Sequence, residues 1–224
     1  MVTAALARVH ERILRACESS GRDPANVRLV AVSKTVDVPR IALAVEAGQA
    51  LFGENRVQEA LGKMPELPGA VWHLIGHLQR NKARHAVGAF ELIHGVDGEK
   101  LALEIDRRAS AAGIRQGILV QANLSEEPTK RGVGEAETLR LVESIAALNH
   151  VELRGLMILP PPPSSPEASR PWFRRLRELR DRAEDGMGRP LPELSMGMTG
   201  DFEVAVEEGA TLVRVGSAIF GVRL

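Results

Sequence analysis

No tyrosine occurs among the 224 residues, so a mechanism that needs a phenolic acid or base must borrow that group from another molecule. Cysteine is almost as scarce: Cys17 stands alone. It cannot form an internal disulfide, and at an apolar position of a helical pattern it reads as a buried, inert thiol in a reducing cytoplasm. Net charge is nil, with 29 basic side chains against 29 acidic ones, and without a basic excess nothing in the composition draws the chain to a phosphate backbone, which excludes nucleic acid as the expected partner. No apolar run reaches the roughly 18 residues of a spanning helix, and Arg8, Glu11, Arg12, Arg15 and Glu18 break the N-terminal stretch where a signal peptide needs its apolar region. A soluble cytoplasmic protein without membrane contact is expected. Lysine is the last scarcity: only Lys34, Lys63, Lys82, Lys100 and Lys130 occur among the 29 basic residues, so a nucleophilic amine has few homes.

What is present is an alternation of two periodicities. Leu6, Val9, Ile13 and Cys17 recur at helical spacing before Gly21 and Pro24, which predicts an amphipathic first helix. Short runs rich in branched residues follow at Arg28–Ser33, Ala50–Phe52, Val71–Ile75, Phe90–His94, Gly117–Asn123, Val151–Leu159, Glu193–Met196 and Leu212–Val215. They read as eight strands. Helical patterns lie between them near Asp37–Ala47, Arg56–Lys63, Asn81–Val87, Glu99–Ala112, Glu135–Leu148, Pro171–Asp185 and Asp201–Glu208. Continuous apolar strands are buried on both faces, as parallel sheets require, and strict alternation at this length predicts an α/β chain folded as a single (β/α)8 TIM barrel with an extra N-terminal helix. An open doubly wound sheet is the alternative. One domain spanning 1–224 is expected, since a barrel of this kind needs nearly the whole chain. Pro160–Pro171 (PPPPSSPEASRP) cannot continue a central strand and reads as an exposed loop, a connector more than a lid.

In such barrels chemistry gathers where strands end. Ser33-Lys34-Thr35 follows the first strand, Gly53-Glu54-Asn55 the second, Gly76-His77 the third, Asn123 the fifth, Gly197-Met198-Thr199-Gly200 the seventh and Gly216-Ser217 the eighth. A lysine at a strand end has its stem fixed in the barrel mouth, where Schiff-base chemistry is open to it; Lys34 fits, whereas Lys130 reads as a loop charge. Glycines and hydroxyls after the last two strands suit an anion: Gly197, Gly200 and Gly216 permit close backbone approach, and Ser195, Thr199 and Ser217 add donors. Arg214, on the eighth strand, must face the site or pair with a carboxylate. His73 and His77 lie in a strand-like run and lack the glutamate of a helical zinc motif, so no metal site is expected there. A Schiff-base aldolase acting on sugar phosphates would use the same lysine and anion site, without a chromophore.

The strings AVSKT at Ala31, FGENRVQE at Phe52, WHLIGHLQRNK at Trp72, LIHGVD at Leu92, RGLM at Arg154 and SMGMTGDFEVAVEEGATLVRVGSAIFG at Ser195 run in collinear order, and together they closely resemble the pyridoxal phosphate homeostasis protein family. That resemblance implies a barrel like the N-terminal domain of alanine racemase, with pyridoxal 5'-phosphate held as a Schiff base on Lys34. It further implies that Ser195, Thr199 and the backbone at Gly216 and Ser217 anchor the phosphate, that Arg214 approaches the pyridine nitrogen, and that Asn55 and His77 line the pocket; Gly197 is counted with these cofactor-binding residues on its place in the glycine-rich strand end. The chain departs from the family where Thr199 replaces a common serine and Ser217 a common threonine, each keeping a hydroxyl, and where Ile158-Leu159 and four prolines replace a short threonine-bearing segment. Members of the family resemble racemases in fold yet are regarded as carriers or regulators of the cofactor, which affect vitamin B6 and amino-acid pools. A two-base racemase needs acid and base on opposite faces of the substrate carbon; the related racemase takes its tyrosine from an added domain of a partner subunit. By likeness, transient contact with pyridoxal-phosphate-dependent apoenzymes and a monomeric or weakly dimeric state are expected, and a weak amino-acid racemase is the alternative.

Overall fold

Inward and outward side chains alternate along the strands of this molecule, interrupted by register shifts between Leu74 and His77, Ile93 and Val96, and Ile118 and Leu119, and that alternation explains its core. The computed structural model describes residues 2–125 and 131–221. Its strands are β1 (Arg28–Val32), β2 (Leu51–Glu54), β3 (Val71–His77), β4 (Leu92–Val96), β5 (Gln116–Ala122), β6 (Val151–Ile158), β7 (Glu193–Ser195) and β8 (Leu212–Val215). All neighbours pair in parallel, and β8 returns to β1 to close the barrel. Val30, Val32, Leu51, Ile75, Leu92, Leu119, Met157 and Leu212 form an apolar cluster of their own, whereas their sequence neighbours Leu29, Ala31, Ile93, Ile118 and Val213 belong to the larger cluster shared with the helices. The first set fills the lumen and the second packs the strand–helix shell, as period-two alternation in a closed barrel dictates.

Around the sheet lie α1 (Val2–Ser20), α2 (Val38–Glu46), α3 (Val57–Lys63), α4 (Ala83–Ala86), α5 (Glu99–Ala112), α6 (Glu135–Ala146), α7 (Arg170–Met187), α8 (Phe202–Glu207) and α9 (Ser217–Phe220). The extra N-terminal helix is present. Val2, Leu6, Val9, Ile13 and Cys17 of α1 are buried, and α1 packs on α2, α8 and α9, with the Arg12 guanidinium 4.4 Å above the Phe202 ring. Among the described residues no helix is long and apolar enough to cross a membrane.

Several boundaries differ from the sequence expectation, each for a local reason. Strand β2 continues through Gly53 and Glu54, and β3 through Gly76 and His77, because parallel neighbours keep pairing there: Gly53 opposes His73, and His77 opposes Gly95. Strand β4 starts at Leu92, two residues later than predicted. The pattern at Asn81–Val87 is a 3-10 turn over Arg80–Lys82 followed by the single turn of α4. The proline-rich stretch is a loop that tightens into a 3-10 turn at Pro166–Ser169 before α7.

Candidate functional site

Parity sets the site. Val30 and Val32 point into the lumen, and two residues further the chain reaches Lys34, half-buried in the turn that ends β1. Across the seam Val30 opposes Arg214 and Ala31 opposes Val215, so the same register brings Lys34 beside Gly216 and Ser217. Lys34, Asn55, His77, Thr199, Arg214, Gly216 and Ser217 all line one cavity of about 730 Å³ at the carboxyl end of the barrel. This volume lies within the range of about 300–1,000 Å³ common to small-molecule sites. Its walls also include Val32, Ile75, Leu159 and Met198, an apolar lining suited to a flat ring.

Two of the nine sequence-predicted residues do not line the cavity. Ser195 is wholly buried beneath it, its hydroxyl bonded to Arg214 Nη1 and to His94 Nδ1. Gly197, at φ +86, is where α8 crosses the end of β7: a Cβ there would lie 2.5 Å from the Ala205 Cβ and 3.0 Å from the Phe202 Cα. Its glycine is thus dictated by helix packing and backbone conformation. Conversely, Gln121 from β5 and Arg131 from the loop beyond line the cavity and were not singled out in the sequence. Gln121 shares parity with Leu119, which was the available signal. Lys130 lies outside the described residues.

Arg214 forms the cavity floor. It is 3% exposed, and it donates to the Ser195 hydroxyl and, at 2.8 Å, to the Ile158 carbonyl. No carboxylate forms a salt bridge with it among the described residues, so the structural ion pair is not what holds it. Burial pulls its guanidinium down to about 10, against the opposing charge of Asp201, so it stays cationic at neutral pH. A buried cation with neutral partners alone favours an electron-rich ligand atom beside it. Above it, Thr199 Oγ1 lies 3.3 Å from the Ser217 hydroxyl and 3.4 Å from the Gly216 amide nitrogen. Asp201 shapes this loop: its carboxylate accepts from the Met198 amide and from the Ser169 hydroxyl, both at 2.7 Å. Opposite, His77 Nδ1 stands 3.3 Å from Asp97, and the Asn55 backbone packs so close to Gly76 that a Cβ there would come within 2.3 Å of the Asn55 carbonyl oxygen.

The Lys34 turn is clamped from behind. Lys63 Nζ donates to the Ser33 carbonyl at 2.9 Å, to Glu54 at 2.8 Å and to Glu59 at 2.7 Å; the Ser33 hydroxyl donates to Glu54 at 2.7 Å, and the Thr35 amide donates to Glu59. Thr35 adopts φ 59, a left-handed conformation costly for a branched residue. Both neighbours of Lys34 are therefore tied to one buried cluster. Burial pushes Glu54 above the usual carboxylate range, with the bonds from Lys63 and Ser33 opposing.

The sequence profile described as "Alanine racemase, N-terminal domain" matches residues 5–224. The chain is 46% identical over 220 residues to the pyridoxal phosphate homeostasis protein of Aquifex aeolicus, covering 97% of this chain and 96% of that protein. It belongs to the pyridoxal phosphate homeostasis protein family. Among solved structures it resembles PipY of Synechococcus elongatus, described with PLP bound, at a TM-score of 0.87 and 37% identity over 99% of this chain and 100% of that one. The alanine racemase of Clostridium difficile shares the barrel at a TM-score of 0.74 and 13% identity, over 96% of this chain and 59% of that one; that likeness concerns the fold alone. In this family member the barrel mouth therefore presents an amine, a buried cation and a hydroxyl-lined loop around one apolar-walled cavity.

Proposed function

We infer that the protein binds pyridoxal 5'-phosphate reversibly, joined to Lys34 as a Schiff base, and acts as a non-catalytic carrier in vitamin B6 homeostasis. The observation that carries this reading is the convergence of Lys34, Arg214 and the Thr199–Gly216–Ser217 group on one cavity. The donor chemistry fits the cofactor. An amine condenses with an aldehyde and releases one water; Thr199, Ser217 and the Gly216 backbone offer donors to a phosphate; Val32, Ile75 and Met198 offer apolar contact to a ring. Arg214 has only N–H donors to give, which suits an unprotonated ring nitrogen as acceptor. When bound, the cofactor supplies a reactive aldehyde and an electron sink. The chain's own part is to grip the anion, hold the ring and present the Lys34 amine.

An arginine at the ring nitrogen disfavours protonation there and weakens carbanion chemistry. The sequence holds no tyrosine to serve as a second base. Both points favour sequestration over turnover. The reading extends to a cytoplasmic protein, monomeric or weakly dimeric, that exchanges cofactor with apoenzymes in transient contact and so influences amino-acid pools.

A visible absorbance spectrum of the untreated protein tests it. A chromophore that is absent from Lys34→Ala is the expected result; a colourless protein that takes up no added pyridoxal phosphate would overturn it. Chiral analysis after long incubation with alanine and serine completes the test: no racemisation is expected, and sustained turnover lost in Lys34→Ala would make the protein an enzyme instead.

A further inference from the structure

Beneath the cavity a single file of polar side chains crosses the otherwise apolar lumen. It begins at Arg214, passes through Ser195 to His94 Nδ1 at 2.8 Å, continues from His94 Nε2 to His73 Nδ1 at 2.9 Å, and ends with His73 Nε2 3.6 Å from Glu91. Ser195, His94 and His73 are all fully buried. Glu91 is half-exposed and sits just before β4, at the amino-terminal mouth opposite the cavity, where Arg28 and Arg154 approach it at 3.5 and 3.6 Å.

The ends of this file fix its direction. A guanidinium only donates and a carboxylate only accepts. Ser195 accepts from Arg214, so its own hydrogen goes to its other close neighbour, His94 Nδ1. A neutral His94 that accepts at Nδ1 carries its proton on Nε2 and donates it to His73 Nδ1. His73 in turn carries its proton on Nε2 and aims it at Glu91. Reversing the order would leave the buried Ser195 hydroxyl without an acceptor and turn a bare ring nitrogen toward a carboxylate. Burial lowers the proton affinity of both rings, which keeps them neutral even with Glu91 and Glu193 facing His73, while Arg214 and Arg28 oppose a charge on His94. The bonds from Arg214 to His73 are polarised in one sense and strengthen one another. The last step, from the His73 Nε2–H to Glu91, is an electrostatic contact across 3.6 Å and not a hydrogen bond, and through it the Glu91 charge acts on the three neutral groups that lead to Arg214.

We propose that Ser195, His94 and His73 are positioning residues that couple Glu91, at the far mouth, to Arg214, and that this coupling holds the guanidinium aimed at the ring nitrogen of bound pyridoxal phosphate. The proposal rests on the cofactor reading above. It makes the amino-terminal mouth of the barrel a place from which cofactor retention is tuned.

Nitrogen-15 NMR of histidine-labelled protein reads the tautomers, and titration with pyridoxal 5'-phosphate reads the affinity. Both histidines should be neutral and protonated at Nε2 from about pH 6 to 8, where an ordinary histidine titrates. Glu91→Gln, which changes only a half-exposed side chain, and Ser195→Ala should each weaken cofactor binding by about three- to ten-fold, with borohydride labelling of Lys34 retained. Glu152→Gln removes the same charge at the same mouth without touching His73 and should bind as the unaltered protein does. If the unaltered protein binds cofactor on Lys34 but either histidine is charged or protonated at Nδ1, or Glu91→Gln binds as Glu152→Gln does, the coupling is overturned and the cofactor reading stands. An unaltered protein that takes up no pyridoxal phosphate overturns both.

Discussion

Lys63 has only 11% of its side chain exposed and Glu54 none, so this pair has exchanged hydration for mutual contact. Removing one partner of a buried pair typically costs about 3–5 kcal/mol, because the other charge is left uncompensated. Lys63→Met is therefore expected to lower the unfolding free energy by about that amount in urea denaturation, and Glu54→Leu combined with Lys63→Met to recover only part of it, since Glu59 and the Ser33 carbonyl still lose Lys63 and the Ser33 hydroxyl loses Glu54. The sign with pH follows from burial. A carboxyl raised above its unfolded value adds stability at low pH and loses it as pH rises through the folded value, so the Lys63→Met deficit should widen as pH rises. Glu91 behaves oppositely: the His73 N–H first, and then Arg28 and Arg154, hold it down to about 2 against a reference of 4.5. Its contribution is present above 4.5 and is lost as pH falls toward 2. Glu91→Gln should accordingly be less stable at neutral pH and show a shallower acid decline, measured as thermal midpoint against pH. None of this was legible in the sequence. Lys63 reads as an ordinary helical lysine and Glu91 as an acid within the strand-like run Phe90–His94, because their partners are brought together only by the closed sheet.

At the scale of the elements, most of the architecture was written in periodicity. Eight apolar runs and eight helical patterns, the first helix included, account for eight strands and for α1 to α8 among the described residues, and α5 matches its predicted span, since Glu99 opens it and Gly113, at φ 66, closes it. Strand ends were harder to place. Gly53 and Gly76 look like turn glycines in the sequence, yet both lie within strands because the parallel pairing continues past them, and glycine stands there because a neighbouring backbone or side chain leaves no room for a Cβ. The loop after β7 shows how elements cooperate at the site: Asp201 ties Met198 on one side and Ser169, at the end of the proline-rich connector, on the other. Charged hydrogen bonds of this kind are worth about 1.5–3 kcal/mol each. Asp201→Ala should loosen the Thr199 loop and weaken cofactor retention about ten-fold or more, while borohydride labelling of Lys34 persists at saturating cofactor. Equal affinity in the variant, read by equilibrium dialysis, would show that the loop holds its shape without Asp201.

The whole molecule presents two apolar layers, lumen and shell, and carries its polar constellation at the carboxyl mouth, where barrels place their sites. Seven of nine expected residues meet there because strand parity survives from sequence to structure; Ser195 and Gly197 sit lower because β7 is short and α8 presses on its end. Binding to the folded state alone raises stability by mass action: about 2.7 kcal/mol at a ligand concentration of 100 times Kd. For a chain of this size each kcal/mol moves Tm by about 2–4 °C, so saturating pyridoxal 5'-phosphate should raise Tm by about 5–10 °C and pyridoxal without its phosphate by clearly less. The most direct measurement is borohydride reduction of the protein with its cofactor, followed by peptide mapping in the mass spectrometer. The pyridoxyl phosphate adduct should fall on Lys34 alone among the five lysines. An adduct on another lysine, or none at saturating cofactor, would contradict the account.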